Sequence, residues 1–327
     1  MHTRRRILVS LAGAGCLAAA PALGQTGKTL HLGAIAVGPP MALDAPPGKI
    51  LIGALADLGY APGRNLTFAA RGAMTDLAKL PGLIEELKKE GAEIFVALGY
   101  PSAAAAKAAG VPTVIFAGAG DPVATGLVES WSHPGGVVTG ISDLAAPLTV
   151  KRLELLKAFA PGLKRVAMLY NADDRAMTLR YEASAATAQS QGLIVQPLGV
   201  REPDDFNGAF AAMERDKPDA ILMVADALTV LNRKRVIEFA AAHRLPAIYE
   251  VDFFARDGGL MSYGADERES LTRAASMIDR IFKGAKPGDI PFEQPTRYLF
   301  VINLRTAKAL GLEPPVDLLA RADEVIE

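Results

Sequence analysis

Residues 93–117 have the sequence EIFVALGYPSAAAAKAAGVPTVIFA. The apolar runs at 93–98 and 111–117 predict two buried strands, and the alanine-rich stretch at 102–109 predicts a helix between them. Two strands joined by one helix favour a right-handed β-α-β unit in which the strands lie parallel. This segment therefore predicts an α/β fold built on a parallel sheet.

The same alternation extends in both directions along the chain. Upstream, apolar runs at 30–37 and 65–70 predict two more strands, each followed by a helical pattern. After a Gly- and Pro-rich break at residues 134–140, the alternation restarts with a predicted helix at 148–159 and ends with a predicted strand at 247–249. Two such runs in succession predict two doubly wound, Rossmann-like lobes.

The C-terminal part adds single elements after the second lobe, beginning with a predicted helix at 267–283. A chain that completes one lobe and then adds single elements is expected to cross between lobes, which makes a multi-strand hinge. We assign residues 28–142 with about 258–286 to lobe 1. We assign residues 143–257 with about 287–327 to lobe 2.

The first 24 residues are typical of an export signal. Arg4, Arg5 and Arg6 precede an apolar stretch at 7–20, and small residues lead to Gly24, near which we expect cleavage. The arginines also resemble a twin-arginine signal, and the ordinary secretory route stays an alternative. No later stretch approaches the roughly 20 apolar residues of a membrane span, so we expect a periplasmic protein.

Composition and motifs exclude several classes of function. The chain has 35 Lys and Arg residues against 36 Asp and Glu residues, so nothing indicates a nucleic-acid partner. Cys16, the single cysteine, lies in the predicted signal, and the histidines have no metal-ligand spacing. The H-E-x-x-H, C-x-x-C and G-x-S-x-G motifs are absent. We expect no catalytic residues, no metal site and no cofactor.

Candidate ligand-binding residues follow the predicted strands, at the sheet edge where ligands bind in open parallel sheets. They are Tyr100, Pro101, Ser102, Asp121, Ser142, Asn171, Asp226, Glu250 and Tyr263. We expect Ser102 and the start of its helix to hold a carboxylate, and Asp226 or Glu250 to hold an amine. We expect the rings of Tyr100 and Tyr263 to stack on the ligand.

Structural roles stay open for the same residues. Ser102 and Asp226 are also suited to capping the helices that follow them, and Asp121 before a proline is suited to starting a turn. A tyrosine after a strand is also a common core residue with a satisfied hydroxyl. The hypothesis of a binding cleft therefore rests on the group of residues and not on any one of them.

Longer motifs recur in order along the chain. They are GDPVATGLV at 120–128, HPGGVVTG at 133–140, KRLELL at 151–156, GGLMSYG at 258–264, INLRTAKALGL at 302–312 and LARADEVIE at 319–327. Together they resemble the ABC transporter substrate-binding family that includes tryptophan- and tyrosine-binding importer components. The resemblance implies a type I periplasmic-binding fold, a small-molecule solute, a membrane permease and an ATPase as partners, and no catalysis.

The resemblance also implies site residues. The loops of amino-acid binders in this family match the nine candidates above, with the exception of Tyr263. Two segments depart from the family pattern: GPPM at 38–41 replaces a more polar segment, and WSH at 131–133 is unusual before Pro-Gly-Gly. Both segments are expected to border the cleft, so an aromatic amino acid is not assumed as the solute.

The sequence thus predicts a monomeric, exported receptor that captures an amino acid or related carboxylate between two lobes and delivers it to an ABC-type importer. One alternative is a ligand-sensing partner of a membrane receptor, in which the closed lobes dock on a kinase instead of a permease. A second alternative is an enzyme on the same fold that uses cleft carboxylates as acid and base.

Overall fold

The computed structural model describes residues 28–327, and the predicted export signal at residues 1–24 lies outside this range. The elements up to residue 140 are β1 (Leu30–Ala36), α1 (Pro46–Asp57), β2 (Leu66–Gly72), α2 (Leu80–Lys89), β3 (Ile94–Leu98), α3 (Tyr100–Ala108), β4 (Thr113–Ala117) and β5 (Val138–Gly140). The next elements are α4 (Thr149–Phe159), β6 (Arg165–Asn171), α5 (Arg175–Ser190), β7 (Ile194–Val200), α6 (Asp205–Arg215), β8 (Ala220–Met223), α7 (Ala227–Leu231), α8 (Arg233–Ala242), β9 (Ala247–Tyr249), α9 (Asp252–Arg256) and β10 (Met261–Ala265). The last elements are α10 (Glu267–Phe282), β11 (Tyr298–Asn303), α11 (Leu304–Leu310), α12 (Val316–Leu319) and β12 (Glu324–Ile326).

The described strands form two sheets. The first has five strands in the order β2-β1-β3-β4-β5, and every pair in it is parallel. The second has seven strands in the order β12-β11-β10-β9-β8-β6-β7, and only the pairing of β10 with β11 is antiparallel. The prediction of two doubly wound α/β lobes is confirmed.

Each sheet is covered by helices on both faces, as a parallel sheet requires. In the first lobe, Leu51 of α1 and Ile278 of α10 pack on one face, while Ile84 of α2 and Ala106 of α3 pack on the other. In the second lobe, α4 and α5 cover one face, while α6 and α8 cover the other. Each lobe therefore has its own hydrophobic core.

The elements that the sequence did not predict are all short. They are β5, β10 and β12 among the strands and α7, α9 and α12 among the helices, each of three to five residues. An apolar period of 2 or 3.6 is hard to recognise over so few residues. The predicted elements are present, with ends that differ by at most three residues.

The lobe boundaries differ from the predicted ones. The prediction placed 258–286 in lobe 1, but β10 (Met261–Ala265) pairs with β9 and β11 of the second sheet. The prediction placed 287–327 in lobe 2, but Ile290 and Phe292 lie in the cores of the first lobe. The chain therefore crosses between lobes a few residues later than expected on both occasions, because backbone pairing and core packing set these boundaries.

The crossing segments are hydrogen-bonded to one another and form the hinge. The Ser142 N–H donates to the carbonyl of Glu293 over 2.9 Å, and the Glu293 N–H donates to the carbonyl of Gly140 over 2.8 Å. The Asp266 N–H donates to the carbonyl of Arg297 over 3.0 Å. The predicted multi-strand hinge is therefore present. Within residues 28–327, no helix has the length and apolar character needed to cross a membrane.

The GGLMSYG motif ends at a close contact between β10 and the end of β9. A Cβ atom added to Gly264 would lie 1.8 Å from the carbonyl oxygen of Glu250. We expect Gly264→Ala to lower the free energy of unfolding by about 2–3 kcal/mol, because the strand must shift to relieve the overlap. Chemical denaturation of the purified protein measures the change.

Gly208→Ala is the matched control, because a Cβ atom at this position in α6 meets nothing within 4 Å. Replacing a helical glycine by alanine is expected to raise the free energy of unfolding by up to about 1 kcal/mol. Equal unfolding midpoints for the two variants would contradict this account of Gly264.

Candidate functional site

A cavity of about 250 Å³ lies between the two lobes, at the carboxyl ends of the strands of both sheets. Its apolar walls include Val37, Pro39, Leu98, Phe116, Met177 and Phe253. Small-molecule sites typically have volumes of about 300–1,000 Å³, so the cavity suits a small solute. The location agrees with the rule that ligands of open α/β sheets bind beyond the carboxyl ends of the strands.

Four charged side chains form a buried ion-pair network at this cavity. Glu250, directly after β9, accepts from Arg152 Nη1 at 3.1 Å through Oε1 and from Arg180 Nη1 at 2.9 Å through Oε2. Arg180 Nη2 also donates to Asp143 Oδ2 over 2.6 Å. The side chains of Arg152, Arg180 and Glu250 are 1%, 3% and 4% exposed. Two guanidinium groups thus neutralise two carboxylates.

Backbone groups add further hydrogen bonds to this network. Arg152 donates to the carbonyls of Ala145 over 2.6 Å and Tyr263 over 2.8 Å. The Ala225 N–H donates to Glu250 Oε2 over 2.9 Å, and the Gly118 N–H donates to Asp143 Oδ2 over 3.2 Å. A buried ion pair is tolerated when its polar atoms are satisfied in this way. The network therefore has a fixed geometry.

Three further carboxylates line the cavity, and none of them forms an ion pair with a cation in the described chain. Asp174 is the N-cap of α5, and its Oδ1 accepts from the N–H groups of Ala176 and Met177. Asp226 is the N-cap of α7 and accepts from Asn171 Nδ2 at 2.5 Å. Glu267 lies in the first turn of α10. The cavity therefore has an excess of acidic groups.

Burial raises the pKa of all three carboxyls, and neighbouring negative charges raise those of Asp174 and Glu267 further. Burial, together with the negative charge of Asp226, raises the pKa of Asp174 from 3.8 to about 7. Burial, together with the charges of Asp252 and Asp143, raises the pKa of Glu267 from 4.5 to about 7. Burial also raises the pKa of Asp226. A cation that entered the cavity would favour the ionised forms of all three.

Two of the candidates predicted from the sequence line the cavity. Asp226 lines the cavity and also caps α7. Its structural role as a helix cap and its position at the cavity are therefore compatible. Glu250 lines it too, but both of its oxygens are occupied by the two arginines and the Ala225 N–H. The role of Glu250 as the partner of a ligand amine stays a prediction, and the two arginines that already neutralise its charge argue against it.

The Tyr-Pro-Ser segment differs from its expected role. Helix α3 begins at Tyr100, and Gly99, with φ of 90°, is its N-cap, so Ser102 is the third helical residue and not the cap. The hydroxyl of Ser102 is buried without a partner in the described chain and does not line the cavity. Pro101 sits in the first turn, where its missing N–H costs nothing. The Tyr100 hydroxyl donates to the carbonyl of Thr125 over 3.4 Å, away from the cavity wall.

Three other candidates lie outside the cavity wall and form hydrogen bonds within the chain. Asp121 is exposed, and its Oδ1 accepts from the N–H groups of the turn that follows, as the structural alternative proposed. Ser142 lies in the hinge, and its Oγ donates to the carbonyl of Gly120 over 3.2 Å. Asn171 donates to Asp226 and so orients that carboxylate toward the cavity.

The ring of Tyr263 is not placed as expected. It lies 6.3 Å from the ring of Tyr298 and 6.3 Å from the ring of Phe300, measured between ring centres. The ring therefore packs on residues of the neighbouring strand and is not part of the cavity wall.

The nine sequence candidates do not include five charged residues that line the cavity. These five are Asp143, Arg152, Asp174, Arg180 and Glu267. Arg152 and Arg180 lie inside helices, and Glu267 starts a helix after a crossing segment, so a search restricted to the residues that directly follow strands does not find them. Arg152 does lie within the KRLELL motif, which was the available signal.

The departures from the family pattern have different locations. Gly38 and Pro39 of the GPPM segment line the cavity, as expected. Trp131 of the WSH segment packs edge-to-face on Phe292 at 5.7 Å between ring centres and is not part of the cavity wall. The GPPM segment therefore makes the first-lobe wall apolar, while Trp131 packs against the core of that lobe.

The two lobes touch on both sides of the cavity. Arg175 Nη2 donates to the carbonyl of Ala124 across the cleft over 3.3 Å. A Cβ atom added to Gly38 would lie 3.3 Å from Cβ of Ala227, and one added to Gly120 would lie 3.1 Å from Cβ of Ala176. These contacts join the lobes, so the cleft is closed in this structure.

A two-lobed α/β fold with a charged cavity at the carboxyl ends of both sheets defines a solute-binding protein of the type I periplasmic-binding architecture. The chain belongs to the family described as ABC transporter substrate binding protein, whose sequence model matches residues 42–326. No group of three His, Cys, Asp or Glu side chains within residues 28–327 is placed to hold a metal ion.

Similar proteins support this assignment. A tyrosine-binding protein of Clostridioides difficile (strain R20291) is 27% identical over 267 residues, which cover 81% of this chain and 76% of that protein. The crystal structure of a conserved domain protein from Vibrio cholerae has a TM-score of 0.84 at 25% identity and covers 91% of this chain and 100% of its own. The ABC domain from Streptococcus pneumonia in complex with L-Trp has a TM-score of 0.78 at 25% identity, with coverage of 90% and 100%.

The buried network predicts a large loss of stability when one partner is removed. We expect Arg180→Gln to lower the free energy of unfolding by about 3–5 kcal/mol, because the buried Glu250 and the partly buried Asp143 lose their shared cation. Arg201→Gln is the matched control, because Arg201 pairs with Asp173 at the surface, where both side chains are more than half exposed. We expect this control to change stability by less than about 1 kcal/mol. Denaturant titration measures both, and equal losses would contradict the role of the network.

The raised pKa values predict a pH dependence of stability. Asp174 and Glu267 keep their protons to about pH 7 in the folded state but lose them near pH 4 when unfolded. The folded state therefore binds more protons between these values, and the stability contributed by these groups falls as the pH rises from about 4 to 7.

Glu267→Gln removes one of these groups, and we expect it to raise the free energy of unfolding at pH 8 by about 1 kcal/mol or more, with a smaller effect at pH 5. Melting temperatures at the two pH values check this result. Glu182→Gln, at an exposed position on α5, is the control. A gain that is the same at both pH values would count against the proposed titration of Glu267.

Proposed function

We propose that this protein is the exported, periplasmic receptor of an ABC-type importer, and that it binds a small amine-bearing organic solute in the cleft between its lobes. The observation that carries the proposal is the closed cavity with apolar walls and acidic groups that have no cation of their own in the described chain. Amino acids are the first candidates, because the relatives include a tyrosine-binding protein and a domain in complex with L-Trp.

The arrangement of the cavity supports this solute class. Pro39 and Phe116 from the first lobe face Met177 and Phe253 from the second, which provides apolar surface for a hydrophobic solute body. Asp226 is held by Asn171 and by the N–H of Thr229, so its charge has a fixed position. A charge-assisted hydrogen bond from an ammonium group to such a carboxylate is strong in a desolvated site.

Closure connects binding to transport. The cavity is bounded by both lobes, so a solute that contacts both walls binds the closed form more tightly than an open one and shifts the population toward closure. The closed surface is then the form that a permease, with its ATPase, recognises. The predicted export signal fits a location on the outer side of the inner membrane, and we propose a monomer as the working unit.

Calorimetric titration of the purified protein with L-Trp, L-Tyr and L-Phe tests the proposal. At 100 times its dissociation constant, a true ligand adds about 2.7 kcal/mol of stability, so a thermal-shift assay detects it independently. We expect Asp226→Asn to weaken binding at least tenfold, because asparagine keeps the helix cap but removes the charge. Glu182→Gln is the control and should bind as the unchanged protein does.

Three outcomes would contradict parts of this proposal. Full affinity in Asp226→Asn would remove Asp226 from the site. Chemical turnover of a bound compound would favour the enzyme alternative. A panel in which no amine-bearing compound raises the melting temperature would overturn the proposed solute class.

A further inference from the structure

We propose that the preferred solute is a small organic cation, an amine with an apolar body and without a carboxylate. This inference rests on the proposed function and names the solute class for the same cleft. Free amino acids are zwitterions, so the inference separates two kinds of amine-bearing solute that the general shape of the cavity does not distinguish.

The charged groups of the cavity lining favour a cation. The cations that line the cavity in the described chain are Arg152 and Arg180, and both form ion pairs with Glu250. Arg180 pairs with Asp143 as well, so two positive and two negative charges cancel. A solute carboxylate would find no uncompensated cation along this lining, and an ammonium group would find several uncompensated carboxylates.

The wall that the first lobe contributes to the cavity is largely apolar. Its residues at the strand ends are apolar or glycine, and they include Gly38, Pro39, Leu98 and Gly99. The Gly118 N–H, which also lies at this wall, already donates to Asp143 Oδ2. The expected carboxylate position at Ser102 lies outside the lining. This wall therefore suits a hydrophobic body.

Two polar side chains of the cavity lining have atoms without a hydrogen-bond partner in the described chain. Asp174 is 4% exposed, and its Oδ2 accepts no hydrogen bond within the described chain, although its Oδ1 caps α5. Ser270 is 3% exposed and lines the cavity one helical turn after Glu267 on α10, and its hydroxyl has no partner in that part of the chain either. These groups come from both lobes, so an ammonium group that contacted both sides would hold the cleft closed.

Proton release is a consequence of this arrangement. Carboxyls with pKa values raised to about 7 lose their protons when a cation binds beside them. Binding of an amine at pH 6 should therefore release protons to the buffer, and the affinity should rise as the pH is raised from 6 to 8. A zwitterion adds a negative charge along with the positive one, so its binding should couple to protons more weakly.

Calorimetry with matched probes tests the inference. The probes are tryptamine, L-Trp and indole-3-propionate, which carry the same indole with the amine alone, with both groups and with the carboxylate alone. Tyramine and L-Tyr form a second pair. We expect each amine to bind at least tenfold more tightly than its amino acid, and indole-3-propionate to show no binding.

Glu267→Gln and Glu182→Gln provide the variant and its control. We expect Glu267→Gln to weaken amine binding at least tenfold and to reduce the proton release at pH 6, while Glu182→Gln leaves both within twofold. A thermal melt confirms that each variant is folded. Loss of amine affinity without a change in proton release would contradict the role given to Glu267.

The outcomes separate this inference from the proposed function. Binding of L-Trp or L-Tyr as tight as or tighter than that of the amines would overturn the inference and leave the proposed function in place. Failure of every amine and every amino acid to bind would overturn both. Tight amine binding with proton release would support both.

Discussion

The Glu250 carboxylate is the constraint on which the arrangement of the cleft depends. It lies at the end of β9 and binds Arg152 of α4 and Arg180 of α5, and Arg180 in turn binds Asp143 of the hinge. Three of these four charges are buried and Asp143 is partly buried, which is tolerated only when the charges are paired and hydrogen-bonded. The two helices, the strand end and the hinge must therefore keep one relative position. The cavity wall of the second lobe is built on this network.

The same network determines the electrostatics of the cleft. Because its own charges cancel, it leaves Asp174, Asp226 and Glu267 as the uncompensated groups along the described cavity lining. Two of them cap helices, so their positions follow from local backbone geometry, while Glu267 comes to the cavity on a helix that packs on the other lobe. Acidic groups from both lobes therefore line the same cavity. A solute that contacts both sets of groups couples its own binding to closure of the lobes.

Individual contacts within the chain explain several of the motifs that mark the family. Arg152 of the KRLELL motif belongs to the buried network, and Gly264 of the GGLMSYG motif allows β10 to pass the Glu250 carbonyl. Asp121 of the GDPVATGLV motif closes a turn through its side chain. These residues support the fold and the site through contacts within the chain, so a motif in this chain indicates the family more reliably than it indicates ligand contacts.

The sequence by itself determined the two α/β lobes, the parallel pairing and the edge of the sheets where the cavity lies, because apolar periodicity over five or more residues specifies these features. It also identified Asp226 at the cavity, since this residue closely follows a strand. Only the tertiary structure decided the lobe boundaries, the neutralisation of Glu250 and the packing of the Tyr263 ring on Tyr298 and Phe300. Arg180 and Glu267 meet the cavity from helices distant in the chain, and the charge balance of a site depends on such distant partners, which no local pattern records.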